Sequence, residues 1–131
     1  MDRYVVAAIL VNDEGQILLC QRRRTGRRDG QWSLPGTDVS HAETDVVALR
    51  HELLSTLGIR VNPAVAPTVD VAEEEGPTLR GFVLDSWRGR IVNLDNAHCA
   101  AIRWFDPSHL PSMTPNTRLL VRAYTASDRR D

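Results

Sequence analysis

The chain of 131 residues contains no lysine, so all 16 of its basic residues are arginines. This absence excludes lysine Schiff-base chemistry and a phosphate-binding loop built on a lysine. The two cysteines, Cys20 and Cys99, lack the spacing of a metal-binding pair and are compatible with reduced thiols. No apolar run is long enough to span a membrane, and no signal peptide is recognisable, so we expect a cytoplasmic protein.

The composition that is present fits a soluble globular protein. Apolar residues make up 42% of the chain and charged residues 25%, and the formal net charge is −1. This charge provides no general attraction to nucleic acid or to an anionic membrane. The length is sufficient for a hydrophobic core that needs no disulfide, so we expect one domain over residues 1–131.

Several segments have the composition and alternation of β-strands. They cover residues 4–11, 16–21, 59–71, 78–87 and 99–105, with a short extended segment at 31–36. Residues 12–15, Asn-Asp-Glu-Gly, form a turn signal, so the first two strands are expected to pair as a hairpin. Residues 73–77 are expected to connect a second hairpin.

Two helices are predicted between and after these strands. Val46, Leu49, Leu53 and Leu57 recur at steps of three and four residues, widened by Val47 and Leu54, and predict a helix over residues 44–57. Thr44 or a Ser40–Glu43 capping box begins it, and Gly58 suits its end. Thr114-Pro115 predicts a second helix to about residue 125. The order of elements predicts a mixed sheet between helices.

Residues 30–59, GQWSLPGTDVSHAETDVVALRHELLSTLGI, resemble the Nudix box, the loop–helix signature of hydrolases that cleave nucleoside diphosphates linked to another group. The family pattern is a glycine, five residues, a glutamate, seven residues, and then Arg-Glu-apolar-any-Glu-Glu-any-Gly-apolar. The positions that match this pattern are Glu43, Glu52, Leu53, Gly58 and Ile59. The positions that depart from it are Thr37 for the glycine, His51 for the arginine, and Ser55 and Thr56 for the paired glutamates.

These departures concern the metal site that the resemblance implies. In relatives, helix carboxylates hold a divalent cation, Mg²⁺ or Mn²⁺, against the diphosphate. Residues 52, 55 and 56 share one helix face, so this chain presents one carboxylate and two hydroxyls. We predict Glu52, Glu43, Ser55 and Thr56 as metal ligands, with weaker binding than by three glutamates. The alternatives are that Glu52 pairs with an arginine, that Glu43 caps the helix, and that both hydroxyls bond back to the helix.

Two further segments resemble the same family. Residues 22–36, RRRTGRRDGQWSLPG, are similar to its arginine-bearing strand end, variable loop and Trp-x-x-Pro-Gly start of the box. Residues 89–111, GRIVNLDNAHCAAIRWFDPSHLP, are similar to a late segment in which a loop acid precedes a strand, which implies Asp95 as the catalytic base. Within the arginine cluster 22–28, Arg22 and Arg23 are predicted to bind phosphate, unless the loop is simply solvated. Trp32 either stacks on a base or anchors the box.

The resemblance implies an α/β fold, a Nudix-like α/β/α sandwich with a mixed β-sheet. It also implies a phosphorylated small-molecule ligand and a possible homodimer, while the net charge and the short apolar runs predict no membrane association. We expect a divalent-cation-dependent diphosphate hydrolase of weak or atypical activity, acting through Glu52 and Asp95. The alternative is an inactive Nudix-fold ligand-binding or protein-interaction module. Diphosphate isomerisation is a third class, whose motifs are not evident, and the net charge disfavours nucleic acid as the main ligand.

Overall fold

A computed structural model describes residues 4–23, 30–40, 42–72 and 74–128, with the side chain of residue 128 left aside. Its strands are β1 (Tyr4–Leu10), β2 (Ile17–Arg22), β3 (Trp32–Ser33), β4 (Gly36–Asp38), β5 (Thr68–Ala72), β6 (Thr78–Leu84) and β7 (Cys99–Phe105). Its helices are α1 (Asp45–Leu57) and α2 (Pro115–Asp128), with a short 3₁₀ helix at Pro63–Val65.

The strands form two sheets. One has the order β4-β1-β6-β5, in which β1 runs parallel to β6 and antiparallel to β4. The other is antiparallel and has the order β3-β2-β7. The mixed sheet predicted from the sequence is therefore confirmed, and a second sheet accompanies it.

The layers follow from the alternation of side chains along β1. Val6, Ala8 and Leu10 share a core with the inward face of α1. Ala7 and Ile9, on the opposite side of the strand, share a second core with α2. Because successive side chains of a strand point to opposite faces, an uninterrupted apolar strand requires cover on both. The helices supply that cover, which gives the α/β/α arrangement.

The predicted hairpin of the first two strands is wrong. β1 and β2 share a single bridge, between Val11 and Ile17, and then belong to different sheets. The physical reason lies in the run of five consecutive buried residues, 6–10. It places β1 in the interior of a sheet, where β4 and β6 are its neighbours and β2 is not.

Helix α1 has the predicted position and caps. The Thr44 side chain accepts a hydrogen bond of 3.2 Å from the Val47 backbone N–H, and Gly58 ends the helix with a left-handed φ of 73°. Leu54 is 39% exposed, so it does not widen the buried stripe as predicted, and Ala48 is buried instead. The strand predicted from residue 59 begins only at Thr68, because the 3₁₀ helix intervenes.

A polar network fixes the start of α1 against both neighbouring strands. Arg80 pairs with Asp70 and with Asp45, each at 2.8 Å, and the Tyr4 hydroxyl donates to Asp45 at 2.9 Å. Burial opposes ionisation of Asp45, but the bonds from Tyr4 and Arg80 outweigh it and lower its pKa. Burial, followed by the bond to Asp45, raises the pKa of Tyr4 to about 12. Asp45 is thus a structural residue that orients the box helix.

Candidate functional site

A cavity of about 80 Å³ lies between α1, the end of β2 and the loop before β7. Its polar lining consists of Arg22, Ser33, Glu52, Thr56, Asn93, Asp95 and His98. Four separate parts of the chain contribute these side chains: β2, β3, α1 and the loop before β7. The cavity therefore brings together four of the residues predicted from the sequence, which are Arg22, Glu52, Thr56 and Asp95.

One wall of this cavity contains Pro35 and Gly36, and its shape depends on the close packing of β4 on β1. A Cβ atom added to Gly36 would lie 2.4 Å from the Val6 carbonyl oxygen and 2.9 Å from the Ala7 Cα atom. Only glycine allows that approach of the two backbones. The Pro-Gly pair at the start of the box thus serves the geometry of the cleft.

Glu52 is half-buried in the cavity. Its neighbours on the helix, Leu49 and Leu53, are fully buried beneath it and fix the direction in which it points. Burial raises the pKa of the Glu52 carboxyl, and the Asp95 carboxylate across the cavity raises it further. Because the two carboxylates face one cavity, a cation placed between them is stabilised by both charges.

The structure separates the two hydroxyl residues of the box. Both donate hydrogen bonds to the Glu52 carbonyl oxygen, at 2.7 Å from Thr56 and 3.2 Å from Ser55. This agrees with the alternative in which the hydroxyls bond back to their own helix. Thr56 lines the cavity, whereas Ser55 is exposed and does not. Only the Thr56 oxygen, which keeps free lone pairs, faces the same space as Glu52.

Glu43 lies away from this cavity. Its carboxylate is 3.5 Å from the His51 ring nitrogen Nδ1, on a surface that includes Ser40, Asp45 and Arg80. The arrangement gives no support to the prediction that Glu43 shares an ion with Glu52. In the described part of the chain, no group of three or more histidine, cysteine, aspartate or glutamate residues is placed to hold a metal ion. The contact between Glu43 and His51 favours a structural role for Glu43 at the start of α1 over metal binding.

The loop that carries Asp95 is fixed by hydrogen bonds at both ends. Asn93 accepts from the Asp95 backbone N–H and donates to the Cys99 carbonyl, both at 3.0 Å. The Asp95 carbonyl in turn accepts from the N–H groups of His98 and Cys99. These bonds hold the Asp95 carboxylate toward the cavity, where His98 lies beside it.

Arg22 and Arg23 have different environments although they are adjacent. Arg22 ends β2 and lines the cavity with an exposed side chain. Arg23 donates from Nε to the Asn96 carbonyl at 2.6 Å and from its backbone N–H to the His98 carbonyl. Arg23 therefore holds the loop, and Arg22 is the better placed of the two to meet a phosphate. The other arginines of the cluster, at 24, 27 and 28, lie outside the described residues.

Trp32 is only 7% exposed. Its ring packs edge-on against Phe105 at 4.9 Å, and the Arg103 guanidinium lies over its face at 5.5 Å. These contacts favour the anchoring alternative for Trp32 over stacking on a base.

The two cysteines form a disulfide between β2 and β7, which corrects the expectation of reduced thiols. Neighbouring strands bring the Cα atoms of Cys20 and Cys99 to 5.9 Å, a separation that suits a disulfide. Both residues line the cavity together with Asp95 and His98. The pairing was hidden in the sequence because 79 positions separate the two residues.

The fold and the cleft define a protein of the Nudix class. A family model described as NUDIX domain matches residues 1–124, and the chain belongs to this family. Nudix hydrolases generally use divalent cations and bind phosphorylated small molecules. The oxygen donors of Glu52 and Thr56 are of the type that Mg²⁺ and Mn²⁺ prefer, so these residues fit such an ion. No helix within the described ranges is both long enough and apolar enough to cross a membrane.

Particular relatives are similar over most of the chain. A MutT NUDIX hydrolase from Burkholderia pseudomallei has a TM-score of 0.78 and 27% identity, covering 94% of this chain and 98% of that one. The E. coli ORF135 protein has a TM-score of 0.75 and 26% identity, covering 98% of this chain and 93% of that one. In Mycobacterium tuberculosis, the protein named "Putative 8-oxo-dGTP diphosphatase 2" is 36% identical over 85 residues. That match spans 63% of this chain and 60% of the relative.

Proposed function

We propose that this protein is a divalent-cation-dependent hydrolase of nucleoside diphosphate-type compounds, with weak or atypical activity. The observation that carries this proposal is the meeting of Glu52, Asp95 and Arg22 in one cavity. Oxidised nucleoside triphosphates such as 8-oxo-dGTP are the first substrates to test, because the Mycobacterium tuberculosis relative carries that name.

The side chains of the cleft divide the chemical tasks among them. The forked guanidinium of Arg22 binds a phosphate group of the substrate. Glu52, with the Thr56 oxygen, would hold Mg²⁺ or Mn²⁺, which when bound supplies charge neutralisation at the phosphate oxygens. A residue of the loop that carries Asp95 acts as the base and takes a proton from the attacking water. As the water oxygen bonds to phosphorus, the bond from phosphorus to the leaving oxygen breaks.

The reduced charge of the box accounts for the expected weakness. Ser55 and Thr56 bring neutral oxygens where the family pattern has two carboxylates, and both protons are committed to the Glu52 carbonyl. The ion therefore depends on the charge of Glu52 and on the phosphates of the substrate itself.

The loss of the two family carboxylates at Ser55 and Thr56 favours a second candidate function. This is a Nudix-fold module that binds a phosphorylated ligand without hydrolysing it. In that case Arg22 and the cleft are retained for recognition, and the missing carboxylates reflect the loss of catalysis. The two candidates differ in turnover and agree in ligand binding.

The deciding experiment measures product release from a panel of diphosphates with Mg²⁺ and with Mn²⁺. The panel contains 8-oxo-dGTP, dGTP, ADP-ribose, a nucleotide sugar and a dinucleoside polyphosphate. Glu52→Gln removes one charge in the cleft, and the matched control Glu74→Gln removes one at an exposed turn that does not line the cavity. Metal-dependent turnover that Glu52→Gln loses and Glu74→Gln keeps is expected. Absence of turnover, or turnover that both variants share, would sink the hydrolase and leave the binding module.

A cytoplasmic location, a homodimeric state and the exclusion of nucleic acid as main ligand all stay predictions. Size-exclusion chromatography with light scattering tests the second directly.

A further inference from the structure

A carboxylate–imidazole pair lies at the mouth of the cavity. The Asp95 Oδ1 atom is 2.9 Å from the His98 ring nitrogen Nδ1, and both side chains line the cavity with Glu52. An ionised carboxylate can only accept a hydrogen bond, so the proton of this bond belongs to Nδ1. In the neutral ring, the lone pair is then on Nε2, which makes no bond to the described protein groups.

The pair is held in place by its backbone. The Asp95 carbonyl accepts the N–H of His98 at 3.1 Å, and the His98 carbonyl accepts the N–H of Arg23 at 3.0 Å. The Arg23 guanidinium also binds the Asn96 carbonyl, between the two members of the pair. These bonds fix the backbone of both residues without a bound ligand, and the bond between the carboxylate and the ring orients the two side chains toward each other. Such pre-organisation is what a catalytic group requires.

The charged groups that face the His98 ring are Asp95 at Nδ1, Glu52 on α1 and Arg22 at the end of β2. The Nε2 atom of the neutral ring carries the lone pair that can accept a proton from water. The exposed ring, 80% accessible, is open to water.

We propose that His98 is the general base of this cleft and that Asp95 is its positioning residue. The proposal rests on the proposed hydrolase function and names the atom that receives the proton. The His98 Nε2 atom takes a proton from water as the water oxygen bonds to phosphorus and the leaving oxygen departs with its electron pair. The Asp95 carboxylate keeps the ring in the Nδ1-protonated form and stabilises the resulting imidazolium.

The pairing is tested without any substrate, by ¹⁵N–¹H spectra of the histidine rings. In the wild-type protein at alkaline pH, His98 is expected in the Nδ1-protonated tautomer. Asp95→Ala removes the acceptor and is expected to return His98 to the Nε2-protonated form that predominates in free histidine. His109, which contacts Ser108 outside the cleft, serves as an internal control and should not change. An Nε2-protonated His98 in the wild type would overturn the pairing.

The base role is tested on the substrate that the wild-type protein hydrolyses best. His98→Gln is expected to lower kcat about 10²- to 10⁴-fold with little change in KM. His98→Ala is expected to regain part of its activity with added imidazole, whereas His109→Gln keeps the wild-type rate. Turnover by wild type that His98→Gln retains, or that only Asp95→Ala loses, would overturn the base role alone. Absence of wild-type turnover would overturn the hydrolase and the base role together, and the ring spectra still decide the pairing.

Discussion

Thr56→Glu is expected to strengthen divalent-cation binding, whereas the neighbouring change Ser55→Glu is expected to have a much smaller effect. The family pattern treats both positions alike, but only Thr56 lines the cavity beside Glu52. A carboxylate placed there would lie close to any ion that Glu52 holds. Two opposite unit charges that lie 4 Å apart attract each other by about 4 kcal/mol at an effective dielectric constant of about 20.

Several costs reduce this value. The new carboxylate repels Glu52 and Asp95 in the metal-free cleft, and the 2.7 Å bond from Thr56 to the Glu52 carbonyl is lost. We expect a net gain of about 1.4 kcal/mol or more, which is a tenfold tighter Kd for Mn²⁺. Ser55→Glu adds the same charge on the exposed face and is expected to gain less than about threefold.

Isothermal titration with Mn²⁺, checked by the electron paramagnetic resonance of free Mn²⁺, measures both variants without any turnover. Equal gains for the two variants would refute the reasoning from the cavity lining, since charge alone would then explain the effect. No gain for Thr56→Glu would show that the ion, if bound at all, does not lie beside Glu52.

Three further predictions concern stability. In metal-free buffer, Glu52→Gln is expected to raise Tm at pH 7, by about 4 °C for each kcal/mol of stability gained. The reason is that burial raises the pKa of Glu52, so the ionised carboxylate destabilises the folded protein. A raised folded-state pKa means that this cost appears as pH rises through the carboxyl range, so thermal scans at pH 4 should show a smaller gain. Reducing the Cys20–Cys99 disulfide, which spans 79 positions, is expected to cost about 4 kcal/mol in urea unfolding, and Cys99→Ser should not respond to reductant. Gly36→Ala forces a Cβ to 2.4 Å from a backbone oxygen and should lower the free energy of unfolding by about 2–3 kcal/mol. Gly15→Ala should lower it by about 1 kcal/mol, because its positive φ is the only source of strain there. Equal losses for the two variants would contradict the steric argument.

The sequence predicted α1 well because its signals are local. Apolar spacing, the Thr44 cap and the glycine at 58 all act within a few residues of one another. The pairing of β1 was mispredicted because its partners β4 and β6 are distant in the chain, and no local signal distinguishes them from β2. Strand existence can therefore be predicted here, and strand neighbours cannot.

In the site too, features set by local sequence could be predicted and features set by contacts between distant segments could not. Residues 52, 55 and 56 share a helix face by spacing, but that face is wide enough for Thr56 to line the cavity and for Ser55 to be exposed. Glu43 precedes the helix, where its direction depends on the loop and on His51. The contribution of His98 depends on a turn that Asn93 and Arg23 close from two different segments. Such tertiary contacts carry no short-range pattern.

The charges of the cleft predict that a diphosphate ligand and a divalent cation bind together, whichever of the two candidate functions is correct. Glu52 and Asp95 face the cavity with Arg22, so a bare diphosphate meets two carboxylates and one guanidinium. A divalent cation bound to the diphosphate reverses part of that repulsion, so ligand and cation are expected to bind together. A non-hydrolysable nucleotide analogue should therefore bind more weakly in EDTA than in Mg²⁺. The hydrolase and the binding module share this expectation, so only turnover distinguishes them. Binding that is equal in EDTA and Mg²⁺ would contradict this charge argument and would indicate that Arg22 alone carries the ligand.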